Sequence, residues 1–150
     1  MAQASGGSIL SQKKLAELQK RYPGAEVFVF GDRPELCAHL LELVIAGKKT
    51  ATCGAARDFG AGGDALPIVG RRDIAASWDS TPSVLIETVS VDHVRFCDVS
   101  AAFALAEGEN ECRDGWARDH QAYFERNGGF DPEMMLVCEH FKVVEVLDGA

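Results

Sequence analysis

The stretch LLELVIAGKKTAT, residues 40–52, marks the point at which the sequence changes from a helical to a strand-like character. Residues 34–46 place apolar side chains at helical spacing. Pro34 suits the first turn of this helix, and Asp32 is a candidate for its N-terminal cap. Gly47 is expected to end the helix, because glycine tolerates the backbone that closes helices. The residues that follow predict the first of several strands.

The rest of the chain alternates between short helical and strand patterns. Helices are predicted at residues 11–22, 100–107 and 113–127, and strands at residues 26–30, 49–55, 68–78, 84–93 and 135–147. Helices that flank several strands without a regular strand–helix alternation indicate an α+β protein. We expect its strands to close into a β-barrel, since closure removes exposed strand edges.

Length and composition predict one globular domain. The chain has 150 residues, of which 47% are hydrophobic and 25% charged. We assign residues 11–150 to this single domain and residues 1–10 to a disordered tail that lacks the pattern of a secretory signal. No apolar run approaches the roughly 20 residues that span a bilayer. We therefore expect a cytoplasmic protein without a membrane partner.

The charge of the chain limits its partners. The formal net charge is −8, and the basic residues are scattered. Binding of duplex DNA needs a broad basic surface, so that class of partner is not expected. A nucleoside or a short single-stranded RNA stays compatible with this charge, and a homodimer stays open as an oligomeric state.

The metal-binding residue types show no recognisable spacing. Five cysteines occur without a CxxC pair, and four histidines occur without HxxxH or HExxH spacing. We expect reduced, mostly buried thiols, no metal site and no cofactor. Cys53 stands apart because it lies beside the candidate site described below. The glycine-rich residues 58–64 match no phosphate-binding fingerprint and predict a mobile lip.

Five short segments resemble the ASCH domain family in their order along the chain. They are FGD (30–32), LLELVIAGKKTAT (40–52), FALAEGEN (103–110), WARDHQAYF (116–124) and MMLVCEHFKVV (134–144). Together they are similar to the longer bacterial branch of that family over about residues 25–147. The resemblance implies a PUA-like β-barrel flanked by helices, a fold shared with RNA-modifying enzymes, and a cleft that handles a nucleobase or RNA ligand.

The resemblance also implies a catalytic set. The more distant ASCH enzymes that hydrolyse N4-acetylcytidine use a lysine and a threonine of a G-x-K-T-x-T motif, and a glutamate of a later segment. In this chain these residues fall on Lys49, Thr52 and Glu109. A threonine hydroxyl needs a base to become a good nucleophile, and a desolvated lysine can be that base. A nearby carboxylate can hold the lysine, pass a proton to the leaving amine or bind the amino edge of cytosine.

One geometric condition decides whether this set can work. Residues three apart on a regular strand point to opposite faces. Lys49 and Thr52 therefore converge only if the chain bends after Gly47. Without a bend, Thr52 has no base.

Further residues are candidates for binding a substrate, and most of them have a simpler alternative role. The candidates are Asp32, Thr50, Arg57, Glu107, Asn110, Trp116, Arg118 and His120. Lys49 also suits the C-terminal end of a helix dipole, and Glu107 and Glu109 suit the start of the next helix. Trp116 and His120 are four residues apart, which equally suits a packing pair.

Three functions are compatible with the sequence. The first is an amidohydrolase that acts on N4-acylated cytidine. The second is an RNA-binding protein or a ribonuclease, and the third is a non-catalytic module that binds a small ligand or a protein. The residues alone do not choose among them.

Overall fold

The computed structural model describes residues 2–3 and 8–147. The helices are α1 (Ile9–Arg21), α2 (Pro34–Ile45), α3 (Ala101–Ala106) and α4 (Arg113–Arg126). The strands are β1 (Ala2–Gln3), β2 (Val27–Val29), β3 (Ala51–Ala55), β4 (Arg72–Ala76), β5 (Pro82–Arg95) and β6 (Met135–Val146). Short 3-10 turns follow β3 and β5, at Ala56–Asp58 and Phe96–Asp98. The α+β class is confirmed.

The predicted tail is only partly described. Residues 1 and 4–7 lie outside the described residues. Ala2 and Gln3 pair with β2, and α1 begins at Ile9. Across the described residues, no helix is both long enough and apolar enough to cross a membrane.

The six strands form one sheet in the order β1-β2-β4-β5-β6-β3. Neighbouring strands are antiparallel, except that β2 and β4 run parallel. The predicted closure into a barrel is wrong, because the edge strands β1 and β3 do not pair within the described residues. The outer edge at the start of β3 meets the end of α3 instead, where the Thr50 N–H donates to the Ala106 carbonyl oxygen at 2.8 Å.

Two main groups of buried apolar side chains hold the helices to the sheet. The first joins α2 to β2, β4 and β5, and it includes Phe30 and Val44. The second joins α3 and α4 to β3 and β6, and it includes Trp116 and Phe124. Full burial of a large apolar side chain contributes about 1.5–3 kcal/mol. These contacts therefore fix the positions of the helix ends that carry polar residues.

Asp32 does not cap α2, so that prediction is wrong. Arg33 occupies the N-cap position and makes no side-chain capping hydrogen bond. The Asp32 carboxylate instead accepts hydrogen bonds from Arg126 Nε at 2.7 Å and Asn127 Nδ2 at 2.8 Å. The hydrogen bond from Arg126 is the main reason that the pKa of Asp32 is lowered. The paired hydrogen bonds from the Arg126 guanidinium join the start of α2 to the end of α4.

The other end of α2 closes in a Schellman motif at Gly47. Gly47 has a φ of +78°. Its N–H and the next N–H donate to the carbonyl oxygens of Val44 at 3.1 Å and Leu43 at 2.9 Å. The chain then runs as irregular backbone until β3 begins. This is the bend that the convergence of Lys49 and Thr52 requires.

Gly108 packs directly against the backbone of this bend. Its φ is +85°, and a Cβ atom placed on it would lie 2.6 Å from the carbonyl oxygen of Lys48. The chain after α3 thus approaches the bend more closely than any side chain permits. Glu107, which precedes Gly108, is brought next to Lys49 by this contact.

We predict that Gly108→Ala destabilises the protein more than Gly47→Ala. Both glycines have positive φ, but no atom lies within 4 Å of a Cβ at Gly47. Gly47→Ala should therefore cost only the left-handed strain of about 1–2 kcal/mol. Gly108→Ala adds a clash with backbone to a similar strain. Urea unfolding of the two variants measures the difference, and equal losses would show that the close approach of Gly108 does not constrain the fold.

Candidate functional site

A cleft of about 290 Å³ lies between the start of α2, the bend before β3, the end of α3 and one side of α4. Its polar lining residues include Lys49, Thr52, Cys53, Glu107, Glu109 and His120. Lys49 and Thr52 thus line the same cleft, as the bend after α2 allows.

Lys49 is buried and fully hydrogen-bonded. It is 2% exposed. Its Nζ donates to the Ala51 carbonyl oxygen at 2.8 Å, to Glu107 Oε1 at 3.1 Å and to the Glu107 carbonyl oxygen at 3.4 Å. These three acceptors match the three N–H donors of an ammonium group. A buried charge is stable only with such partners, and Glu107 supplies two of the three.

The Glu107 carboxylate is the centre of the group. It accepts hydrogen bonds from Lys49 Nζ, from Trp116 Nε1 at 2.5 Å and from Cys53 Sγ at 3.3 Å. His120 Nε2 lies 3.1 Å from its Oε2 atom. Burial alone would raise the pKa of Glu107, but the charges of Lys49 and His120 outweigh burial and hold that pKa well below its usual range. Glu107 is therefore an ionised carboxylate.

Both ring nitrogens of His120 face acceptors. Nδ1 lies 2.9 Å from the Trp116 carbonyl oxygen, and Nε2 faces the Glu107 carboxylate. Neither acceptor carries a hydrogen, so both contacts are hydrogen bonds only when both nitrogens are protonated. Burial opposes this state, but the charge of Glu107 raises the pKa of His120 above its usual value.

The buried floor of the cleft thus holds the Glu107 carboxylate between the Lys49 ammonium and the His120 ring. Lys49 balances the charge of Glu107, and protonation of His120 adds one positive charge, even though the whole chain has a net charge of −8. A floor of this kind favours an electron-rich atom, such as a carbonyl oxygen, or an anion.

The two glutamates predicted for the site occupy different places. Glu107 is buried and paired with Lys49, whereas Glu109 is half-buried on the cleft wall. In the part of the chain that the structure describes, the carboxylate that contacts Lys49 is that of Glu107 and not that of Glu109. The pattern A-E-x-E-N offers both residues at one helix end, so sequence alone could not separate them.

Six of the predicted binding residues do not line the cleft. They are Asp32, Thr50, Arg57, Asn110, Trp116 and Arg118. The Thr50 hydroxyl is exposed and donates to the Ala106 carbonyl oxygen at 3.5 Å. Arg57 Nη2 donates to the Gly129 carbonyl oxygen at 2.6 Å, and Asn110 Nδ2 donates to Asp119 at 3.2 Å.

Trp116 contacts the site residues from the protein interior and does not line the cleft. It has no exposed surface, so its ring cannot stack on a ligand. Instead it stacks on His120, with ring centroids 4.4 Å apart and an interplanar angle of 22°. The two residues form a packing pair, and Trp116 positions the carboxylate of Glu107 through its indole N–H.

Several lining residues were not identified from the sequence. They include Arg33, Asp119, Tyr123 and Arg126. Tyr123 lies three residues after His120 in α4, so helical spacing from that residue offered a signal for it. Asp119 directly precedes His120, and that spacing offered no such signal. Burial raises the pKa of Tyr123 to about 12, which keeps its hydroxyl protonated. The pairing of Arg126 with Asp32 spans 94 positions and left no sequence signal.

The five cysteines are free thiols with mixed exposure. Cys37 and Cys138 are buried, Cys53 is partly buried, and Cys97 and Cys112 are exposed. The prediction of mostly buried thiols is therefore wrong. Burial, followed by the charge of Glu107, raises the pKa of Cys53 well above its usual value, so its thiol is a poor nucleophile in this environment.

A second, smaller pocket lies apart from the cleft. It is lined by residues that include Asp64, Asp73 and Glu139. Glu139 accepts a hydrogen bond from the Thr88 hydroxyl at 2.7 Å, and burial raises its pKa to about 7. The glycine-rich residues 58–64, predicted to be a mobile lip, border this pocket through Asp64 and do not line the larger cleft.

Comparison with known proteins shows that this chain is similar to ASCH domains in sequence and in structure. The model of the ASCH domain matches residues 26–145. The crystal structure of an ASCH domain from Lactobacillus crispatus JV V101 has 28% sequence identity and a TM-score of 0.78, and the match covers 93% of this chain and 97% of that one. Protein EF3133 from Enterococcus faecalis V583 has 29% identity and a TM-score of 0.77, over 93% of this chain and 95% of that one. None of the curated proteins compared with this chain matches it.

We predict that His120 makes stability depend on pH near neutrality. Its pKa is raised in the folded protein, whereas an unfolded histidine titrates near about 6.5. Its contribution to the free energy of unfolding is complete below about pH 6.5 and is lost as pH rises through the folded pKa. Urea unfolding between about pH 6 and pH 9 should therefore show a steeper loss for wild type than for His120→Gln.

The titration of Glu139 falls in the same pH range but does not affect this comparison. Its raised pKa also removes stability as pH rises, but it does so equally in both proteins. Parallel profiles for wild type and His120→Gln would contradict the assignment of a charged His120.

Proposed function

We propose, since the chain belongs to the ASCH domain family, that its cleft binds an N4-acylated cytosine nucleoside and hydrolyses the acyl amide. ASCH proteins are PUA-like and are linked to the handling of RNA or nucleobases. The observation that carries the proposal is that Lys49 and Thr52 line one cleft and that the lysine is paired with the buried Glu107 carboxylate.

The size of the cleft favours a small ligand. Pockets for small molecules usually measure about 300–1,000 Å³, and this cleft, at about 290 Å³, lies near the lower end of that range. A nucleobase with its acyl group and sugar fits such a volume, whereas a folded RNA does not. The acidic surface of the protein supports the same choice, because long RNA needs extended basic contacts.

The acylation step uses Thr52 as nucleophile. Its hydroxyl oxygen attacks the acyl carbon, and the carbonyl electrons move to oxygen to give a tetrahedral oxyanion. Lys49 takes the hydroxyl proton as it passes its own proton to Glu107 along the Nζ–Oε1 hydrogen bond of 3.1 Å. The lysine can therefore be an ammonium in the resting protein. Because the pKa of Glu107 is low, the carboxylate holds the transferred proton only until N4 takes it in the next step. The positive floor of the cleft favours the developing oxyanion.

The remaining steps reverse this transfer. The oxyanion collapses, the bond between the acyl carbon and N4 breaks, and N4 receives a proton through Lys49 to leave as the amino group of cytidine. Water then attacks the acyl carbon of the Thr52 ester, and its proton passes to Lys49 as the lysine again passes one to Glu107. The bond between the acyl carbon and the Thr52 oxygen breaks, and the same relay returns a proton to that oxygen. The products are cytidine and a carboxylic acid.

In this mechanism Glu107 takes the role that the sequence comparison placed on Glu109. It is hydrogen-bonded to Lys49, and its charge keeps the lysine in place. Glu109 lines the same cleft, where it can bind the amino edge or the sugar of the ligand. We assign the two roles in this way because Glu107 is buried and contacts Lys49, whereas Glu109 is half-buried.

We predict that Lys49→Ala and Thr52→Val each lower kcat on N4-acetylcytidine by more than about 100-fold, with a smaller change in KM. Thr50→Val is the matched control, because Thr50 is exposed and does not line the cleft. Thr52→Val keeps the shape of the side chain and removes the nucleophile. Removal of one partner of a buried ion pair costs about 3–5 kcal/mol, so the fold of Lys49→Ala is checked by thermal unfolding.

The substrate panel separates the competing functions. It contains N4-acylated cytidines of different acyl size and a short single-stranded RNA. Near-wild-type turnover by Thr52→Val would show that Thr52 is not the nucleophile. If no acylated cytidine reacts and the RNA is cleaved, the protein is a ribonuclease; if nothing reacts, it is a binding module.

A second comparison distinguishes the two glutamates. We expect Glu107→Gln to lower kcat by about 100-fold or more, because a neutral amide cannot receive the lysine proton. Glu109→Gln should change mainly KM. Steady-state kinetics of both variants measure kcat and KM. If Glu109→Gln lowers kcat and Glu107→Gln changes mainly KM, Glu109 is the catalytic carboxylate instead.

A further inference from the structure

Three side chains with metal-binding atoms meet on the floor of the cleft. They are Cys53, Glu107 and His120, and their Sγ, carboxylate oxygen and ring nitrogen atoms all lie within 4.8 Å of one another. The residues are 54 and 13 positions apart in sequence, so no spacing motif marks them. They come from β3, the end of α3 and the middle of α4.

We propose that Cys53, Glu107 and His120 form a binding site for one divalent transition-metal ion of the zinc class. A thiolate, an imidazole nitrogen and a carboxylate oxygen are the donor types that zinc takes in proteins. Three protein ligands with one remaining position are typical of zinc sites that bind a water or a substrate atom. The proposal goes beyond the amidohydrolase function, in which no step uses a metal.

The distances among the donor atoms support this geometry. With zinc bonds of about 2.0–2.3 Å and tetrahedral angles, a nitrogen and an oxygen ligand lie about 3.3 Å apart, and a sulfur and an oxygen ligand about 3.6 Å apart. Here His120 Nε2 lies 3.1 Å from Glu107 Oε2, and Cys53 Sγ lies 3.3 Å from the same oxygen. Both spacings are therefore within about 0.3 Å of what one ion would impose.

The surroundings of the three residues also suit an ion. The His120 ring is oriented by its Nδ1 contact to the Trp116 carbonyl oxygen at 2.9 Å, which leaves Nε2 facing the group. A backbone acceptor on the second nitrogen is the usual support of a metal-bound histidine. All three side chains line the cleft, from which an ion and a further ligand can enter.

The nearby Lys49 ammonium repels a metal ion, and this repulsion is the main electrostatic obstacle to binding. Loss of protons from the ligands offsets it. Lys49 contacts Oε1 of Glu107, whereas Cys53, His120 and the Trp116 indole N–H contact Oε2. An ion on Oε2 displaces the thiol proton and, when the ring is charged, the imidazolium proton. Two protons then leave as one divalent cation enters, so the total charge that Lys49 faces is unchanged.

Cobalt(II) is the probe for this site, because its absorption reports both tetrahedral geometry and a thiolate ligand. Titration of the reduced wild-type protein should show one ion per chain, with visible bands of tetrahedral cobalt and a charge-transfer band from sulfur. Zinc should displace the cobalt. Cys53→Ala should remove the charge-transfer band, and both Cys53→Ala and His120→Asn should weaken binding by more than about tenfold.

Cys138→Ala is the matched control. Cys138 is the partner of Cys53 across the β3–β6 pair, and it is buried but not one of the three ligands. This variant should bind cobalt as wild type does. The proposal is overturned if wild type binds no cobalt, if Cys53→Ala keeps the sulfur band, or if Cys138→Ala is the variant that loses it. Because the readout is absorption, it is independent of whether any acylated cytidine is hydrolysed.

Discussion

A buried ion pair between Lys49 and Glu107 is the constraint around which the cleft is organised. Two charges that are 1% and 3% exposed are stable only if each finds enough hydrogen-bond partners. Lys49 finds them in Glu107 and Ala51, and Glu107 finds further donors in Trp116 and Cys53. Every element that supplies a partner is thereby held at one fixed position around the cleft.

The backbone is shaped to make this pair possible. The Schellman motif at Gly47 turns the chain so that Lys49 points inward before β3 begins. Gly108 lets the end of α3 touch that turn, so that Glu107 comes within hydrogen-bond distance. On the far side, Asp32 ties the start of α2 to the end of α4 through Arg126. Side-chain chemistry and backbone geometry here depend on each other.

The same arrangement explains why a strongly acidic protein can have a positive cleft floor. His120 is held between two acceptors, the Trp116 carbonyl oxygen and the Glu107 carboxylate, and with Lys49 it exceeds the single negative charge between them. The charge that a ligand meets is therefore local. On the floor it is set by three side chains, and Arg33, Glu109, Asp119 and Arg126 add further charges on the walls. The net charge of the chain governs long-range attraction and solubility.

The sequence by itself determined the order and type of the helices and of strands β2–β6, the α+β class and the end of α2 at Gly47. Those features depend on local periodicity and on glycine, which are visible in neighbouring residues. It also singled out Lys49, Thr52 and both glutamates through the resemblance to ASCH domains. The bend after Gly47 was only a condition for the site, and the tertiary structure supplied it. The tertiary structure decided that the sheet stays open and that Glu107 rather than Glu109 holds the lysine. It also decided that Cys53 and His120 share Glu107. These outcomes depend on contacts between residues tens of positions apart, for which a single sequence carries no spacing signal.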